Sequence, residues 1–72
     1  MKVLITKGTI SRKHDKYGED IGFTVLYPGE YAGSLDTAGE LEINISDGKY
    51  TYLTLNKVQE KLERGDLVVL PA

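Results

Sequence analysis

The stretch Leu41-Glu42-Ile43-Asn44-Ile45-Ser46-Asp47-Gly48-Lys49-Tyr50-Thr51-Tyr52-Leu53-Thr54-Leu55 decides how this chain folds. Apolar and polar residues alternate on both sides of an Asp-Gly pair, the local signature of a β-hairpin. Two registers compete. A two-residue turn at Asp47-Gly48 pairs Ile43 with Tyr52, whereas a type I turn with Gly48 in a left-handed bulge position pairs Leu41 with Leu53 and Ile43 with Thr51. Side chains alternate faces along a strand, so a one-residue slip exchanges every inward residue for an outward one. The bulged register is expected, because it gathers Leu41, Ile43, Leu53 and Leu55 on one side and leaves Glu40, Glu42, Asn44, Tyr50 and Tyr52 on the other. Core packing of the two rings, hydroxyls toward water, is the alternative.

On the N-terminal side, residues 3–10 read as a first strand in which Val3 and Ile5 alternate with Leu4 and Thr6, and Gly8 marks a bend. Residues 11–20 are polar and hold Gly18, which predicts an exposed, mobile loop. Residues 21–27 are β-branched and aromatic, a second strand that stops at the turn pair Pro28-Gly29. From there to Gly39 the chain is rich in Gly, Ala, Ser and Asp, and reads as a second long loop carrying Tyr31. On the C-terminal side a short helix is expected. Asn56 caps it with Gln59 returning a hydrogen bond, Val58 and Leu62 share a face, Glu60 and Arg64 sit four apart, and Gly65 supplies the left-handed exit. So short a helix is marginal alone and needs the sheet beneath it. Residues 67–70, Leu-Val-Val-Leu, have no polar alternation, which predicts a strand buried on both faces, and Pro71 stops it.

The expected order is strand, long loop, strand, long loop, strand, tight hairpin, strand, helix, strand. That order resembles SH3-like barrels, in which two long loops precede a tight distal hairpin and a helical turn precedes the closing strand. The resemblance implies a mostly β chain folded as a small five-stranded SH3-like barrel, one domain over residues 1–72, with one short helix before the last strand. It is topological only. The chain has no Trp and none of the acidic-aromatic dipeptides of peptide-binding SH3 domains, so proline-peptide recognition is not implied. An OB-like barrel, whose helix normally falls between its third and fourth strands, or another β-rich α+β arrangement is the alternative.

A chain of 72 residues buries only roughly 60% of the surface its unfolded form exposes, so a deep active-site cleft is not expected. It has no Cys, hence neither a disulfide framework nor a thiolate metal site. Lys2 precedes the apolar run Val3-Leu4-Ile5, far too short for a signal peptide, and no stretch approaches a membrane span. A cytoplasmic location is expected. The net charge of −2 conceals an uneven distribution. Residues 1–17 hold Lys2, Lys7, Arg12, Lys13 and Lys16 against Asp15 alone, whereas residues 18–48 hold Glu19, Asp20, Glu30, Asp36, Glu40, Glu42 and Asp47 with no Lys or Arg. That polarity predicts one basic edge and one acidic face, although such runs are most often a solvated surface.

Catalysis requires a nucleophile, a base or a metal, and the inventory is thin. His14 is the single histidine, read as a loop surface residue with no second His or Cys to complete a metal site. Glu30, Asp36, Glu40 and Glu42 lack the alternating oxygen ligands around a central glycine that a calcium loop uses. The glycines are isolated turn residues without a phosphate-cradling cluster. No enzymatic activity, metal or cofactor is expected. The chemistry favoured is contact: a protein-binding module presenting Tyr27, Tyr31, Tyr50 and Tyr52 beside Glu40 and Glu42 to a protein partner with basic residues. Two alternatives stand beside it. Arg12, Lys13 and Lys16 next to Tyr17 form a basic loop with a stacking ring, the combination of a small-barrel nucleic-acid binder, opposed by the seven carboxylates of the middle segment. Unprotected edges at residues 3–10 or 67–70 would support self-association as a homo-oligomer or structural subunit. The small size suits a phage or mobile-element accessory protein, and the acidic middle segment has the charge to imitate a nucleic acid.

Overall fold

Gly48 has a φ of 70°, and no residue other than glycine among those described has a positive φ. Asp47 therefore does not form a type I′ turn, which needs positive φ at both central residues. The hairpin takes the bulged register: Leu41 opposes Leu53, Ile43 opposes Thr51, and the one-residue shift falls between Asn44 and Ser46. Leu41, Ile43, Thr51 and Leu53 are consequently buried, and Tyr50 and Tyr52 point the other way. Leu55 does not join them. The strand ends at Leu53, and Leu55 opens the helix and lies half-exposed against Gly39.

The computed structural model describes residues 1–71. The elements are β1 (Lys2–Ile5), β2 (Thr9–Asp15), β3 (Asp20–Leu26), β4 (Gly29–Leu35), β5 (Leu41–Ser46), β6 (Lys49–Leu53), α1 (Leu55–Arg64) and β7 (Leu67–Leu70). The fold is mostly β: one antiparallel sheet of seven strands in the order β3-β2-β6-β5-β4-β1-β7, with one short helix. Five strands in a closed barrel were expected. The sheet has two more, and it ends at β3 and β7 without closing.

The two additional strands lie where loops were expected. In β2, Thr9 to Arg12 pair with Leu26 to Phe23 of β3, and beyond an irregularity His14 and Asp15 pair with Tyr50 and Lys49 of β6. The Ser11 hydroxyl shares a hydrogen bond with that of Thr51, the one buried polar residue among those described. In β4 the small residues are a packing requirement. Gly33 sits where a Cβ would meet Leu41 Cδ1 at 3.2 Å, the Glu42 carbonyl oxygen at 3.3 Å and Val3 Cγ1 at 3.7 Å. β4 is thus a central strand, paired with β1 on one side and β5 on the other.

Chain connectivity makes the sheet curl. β2 and β3 lie at one end of the sheet order, yet only residues 6–8 link β1 to β2 and only residues 27–28 link β3 to β4. At about 3.8 Å per residue these links hold the root of the β2–β3 hairpin beside β1 and β4. Leu26 at that root is fully buried with Val3, Ile5, Leu41, Ile43, Leu53 and Leu67. Val58 of α1 closes the cluster from the helix side.

The helix is capped two residues earlier than expected. Thr54 Oγ1, not Asn56, accepts from the Lys57 N–H at 3.4 Å, and the Thr54 carbonyl accepts from Val58 N–H at 2.9 Å. Gly65, at a φ of 75°, ends it, with its N–H on Leu62 and the Asp66 N–H on Lys61. Glu60 and Arg64 form the expected pair at 3.1 Å, while Leu62 is exposed. β7 is an edge strand, with Val68 and Val69 exposed where burial on both faces was expected. β1 lies inside the sheet between β4 and β7 and offers no edge for association.

These assignments set three stabilities that urea unfolding measures. Ile43→Ala should cost about 2–5 kcal/mol, the range for emptying a packed core position. Gly48→Ala should cost about 1–2 kcal/mol through its left-handed backbone, and Thr54→Ala about 1 kcal/mol through the lost cap. A Gly48→Ala midpoint equal to that of the parent would contradict the register.

Candidate functional site

Directly opposed residues on antiparallel strands share a face. Ala32 opposes Asn44 and Ser34 opposes Glu42 across β4 and β5; Glu42 opposes Tyr52 and Asn44 opposes Tyr50 across β5 and β6; His14 of β2 opposes Tyr50. One continuous face therefore runs from Ala32 and Ser34 through Glu42 and Asn44 to Tyr50, Tyr52 and His14, on the side of the sheet away from the core. Its relief follows from side-chain size. The short residues of β4 lie low beside the tall Tyr50 ring, leaving an open depression of about 190 Å³ bounded by Glu42 and Asn44.

Charge and aromaticity meet at Tyr52. Its ring packs edge-on against His14, with centroids 5.0 Å apart and planes at 69°. Partial burial, followed by the negative charge of Glu42 opposite, holds the Tyr52 phenol above the ordinary tyrosine range. His14 is half-buried on a strand, not a loop surface residue, and its Nδ1 is enclosed without a hydrogen-bond partner.

Of the residues expected to form a protein-binding surface, Glu42, Tyr50 and Tyr52 come together. Glu40 lies just before β5, its backbone N–H donating to Asp36 Oδ1 at 2.9 Å. Tyr31 does not join them: it opposes Val3 on the other side of the sheet and packs against the core, its hydroxyl donating to the Tyr27 carbonyl at 2.6 Å. Tyr27 is exposed in the short link between β3 and β4. A loop has no face parity, so a loop over residues 28–39 does not separate Tyr31 from Tyr50. The same holds for His14 and the low β4 residues, where the alternation of Ala32 and Ser34 about Gly33 is the signal available, while Asn44 is expected on the outward face of the hairpin but not among the contact residues.

The basic group is arranged differently from a free loop. Arg12 is on β2, paired with Asp20 and lying 4.8 Å from the Phe23 ring centre. Lys13 is half-buried, and Lys16 lies 5.2 Å from the exposed Tyr17 ring. The turn after β2 is ordered by Asp15, whose Oδ1 accepts from the Tyr17 and Glu19 N–H groups, both at 2.9 Å. The Gly22 N–H, then the Arg12 guanidinium, hold the Asp20 carboxyl below the ordinary aspartate range. Among the described residues, no three of His, Asp and Glu gather as a metal ion would require. No described helix is long and apolar enough to cross a membrane. No known protein family, curated protein or solved structure matches the chain.

Two titrations follow with opposite signs. Tyr52 has a raised pKa, so its contribution to stability is intact below the unfolded tyrosine value and falls as pH rises toward the folded one. Its ring resonances should titrate above about pH 10, and Glu42→Gln should bring them down. Asp20 has a lowered pKa, so its contribution is present above the unfolded aspartate value and is lost as pH falls through the folded one. Its carboxyl carbon should titrate below about pH 3.9, and Arg12→Ala should raise it. An Asp20 midpoint at or above the ordinary value would refute the pairing.

Proposed function

We propose that this chain is a non-enzymatic protein-binding module whose contact face is Glu42, Asn44, Tyr50 and Tyr52, and that its partner offers a basic side chain to that face. The observation that carries the reading is the depression beside Tyr50: an acidic wall at Glu42, a polar group at Asn44 and a ring that supplies contact area at little rotamer cost. A lysine or arginine laid there meets a carboxylate and an aromatic face at once, a combination in which cation–π attraction adds to the ion pair. The hairpin, helix and returning last strand support an SH3-like kinship for the second half of the chain. A cytoplasmic accessory protein of phage or mobile-element type is the setting that small size suits.

Nitrogen-15 NMR of the labelled chain tests the reading. Titration with an arginine-rich peptide should move the amides of residues 42–44 and 50–52 most, and Glu42→Gln with Tyr50→Ala should remove the response. Shifts confined to residues 12–17, appearing with single-stranded DNA and fading with salt, would replace this proposal by the nucleic-acid one. Self-association is the second reading, favoured by one observation: β7 is an uncharged edge with exposed Val68 and Val69. Sedimentation across a concentration series should then show a dimer that Val69→Lys disperses, and a constant monomer mass would exclude it.

A further inference from the structure

The β2–β3 hairpin is patterned inside out. Its inner face carries Thr9, Ser11 and Thr24 with buried Leu26, and its outer face carries Ile10 opposite Val25 and Arg12 opposite Phe23. Ile10 is 72% exposed, Phe23 63% and Val25 43%. A small domain that turns hydroxyls inward and these apolar groups outward forgoes core stability, and a clustered apolar patch of that kind marks a contact surface. Ile10 and Phe23 of the patch line a trough of about 380 Å³ together with Leu53 of β6 and residues of α1. From α1, Lys57 and Lys61, four apart and so on one helix face, line the same space. Neither has a carboxylate within ion-pair distance among the described residues, whereas Arg12 is already neutralised by Asp20.

We infer that this trough docks an acidic segment of another protein, with an apolar side chain seated against Ile10 and Phe23 and flanking carboxylates reaching Lys57 and Lys61. Charge complementarity identifies the occupant: two unpaired cations face an apolar wall, and a carboxylate-bearing peptide satisfies both. Nucleic acid fits less well, since two unpaired cations neutralise few phosphates. The surface is separate from the depression at Tyr50 and shares no lining residue with it.

The probe is a fluorescein-labelled peptide in which tryptophan and leucine are flanked by glutamates, followed by fluorescence anisotropy on the intact chain. Saturable binding is expected, weakened about tenfold or more by Lys57→Glu with Lys61→Glu and likewise by Phe23→Ser. Tyr50→Ala, which belongs to the other face, should leave it unchanged. Circular dichroism of each variant should match the parent, since all substituted side chains are exposed or half-buried. No saturable binding, equal binding of a lysine-flanked version, or preferential displacement of the peptide by oligothymidylate would overturn the inference. So would a free protein that is dimeric until Phe23→Ser makes it monomeric, because the trough would then be filled by a second copy.

Discussion

The left-handed backbone of Gly48 is the constraint on which the molecule's two-sidedness rests. It allows a type I turn with a bulge, and the bulge selects the pairing of Ile43 with Thr51 over its pairing with Tyr52. With that pairing, two branched side chains and two leucines of the hairpin enter the core, and two tyrosines, an asparagine and a glutamate leave it. The opposite register would put Tyr50 and Tyr52 on the face of Leu41 and Ile43, carrying two phenols into a core of eight apolar residues and Leu53 out of it. The hydrophobic pattern and the turn chemistry agree, which is why so short a segment specifies its own register.

Curvature does the remaining work. Two links of two and three residues draw the β2–β3 hairpin back over the sheet, so that its root plugs the core with Leu26 while its far end joins β6 through His14 and Asp15. The contact between Ser11 and Thr51 couples the two where each has a polar group that would otherwise be buried unpaired. The hairpin thereby forms a wall over β6 and α1, and the trough exists because that wall stands off from the helix. A flat sheet of the same strands would have neither trough nor wall.

The two concave surfaces are opposite in charge and share no lining residue. On one side Glu42 stands beside Tyr50; on the other Lys57 and Lys61 face Ile10 and Phe23. This differs from the division along the sequence, where cations precede residue 18 and carboxylates fill residues 18–48. Folding redistributes them: Arg12 is spent on Asp20, and the cations left to face the trough come from the helix, far along the chain.

Several features were legible from local chemistry alone. The hairpin and its register, the left-handed Gly48 and Gly65, the Glu60–Arg64 pair and the outward rings at Tyr50 and Tyr52 each depend on residues within a few positions of one another. Even the small misplacement of the helix cap, Thr54 for Asn56, is a choice between two capping residues two positions apart. The strands at 9–15 and 29–35, the separation of Tyr31 from the other tyrosines and the exposure of β7 were decided by tertiary structure. Gly33 is in a strand because Leu41 and Val3 crowd the space its side chain would fill, and Ser11 is in one because Thr51 requires a partner. Those neighbours are brought up by the curl of the sheet, a long-range consequence of chain connectivity that no local pattern of apolar and polar residues encodes.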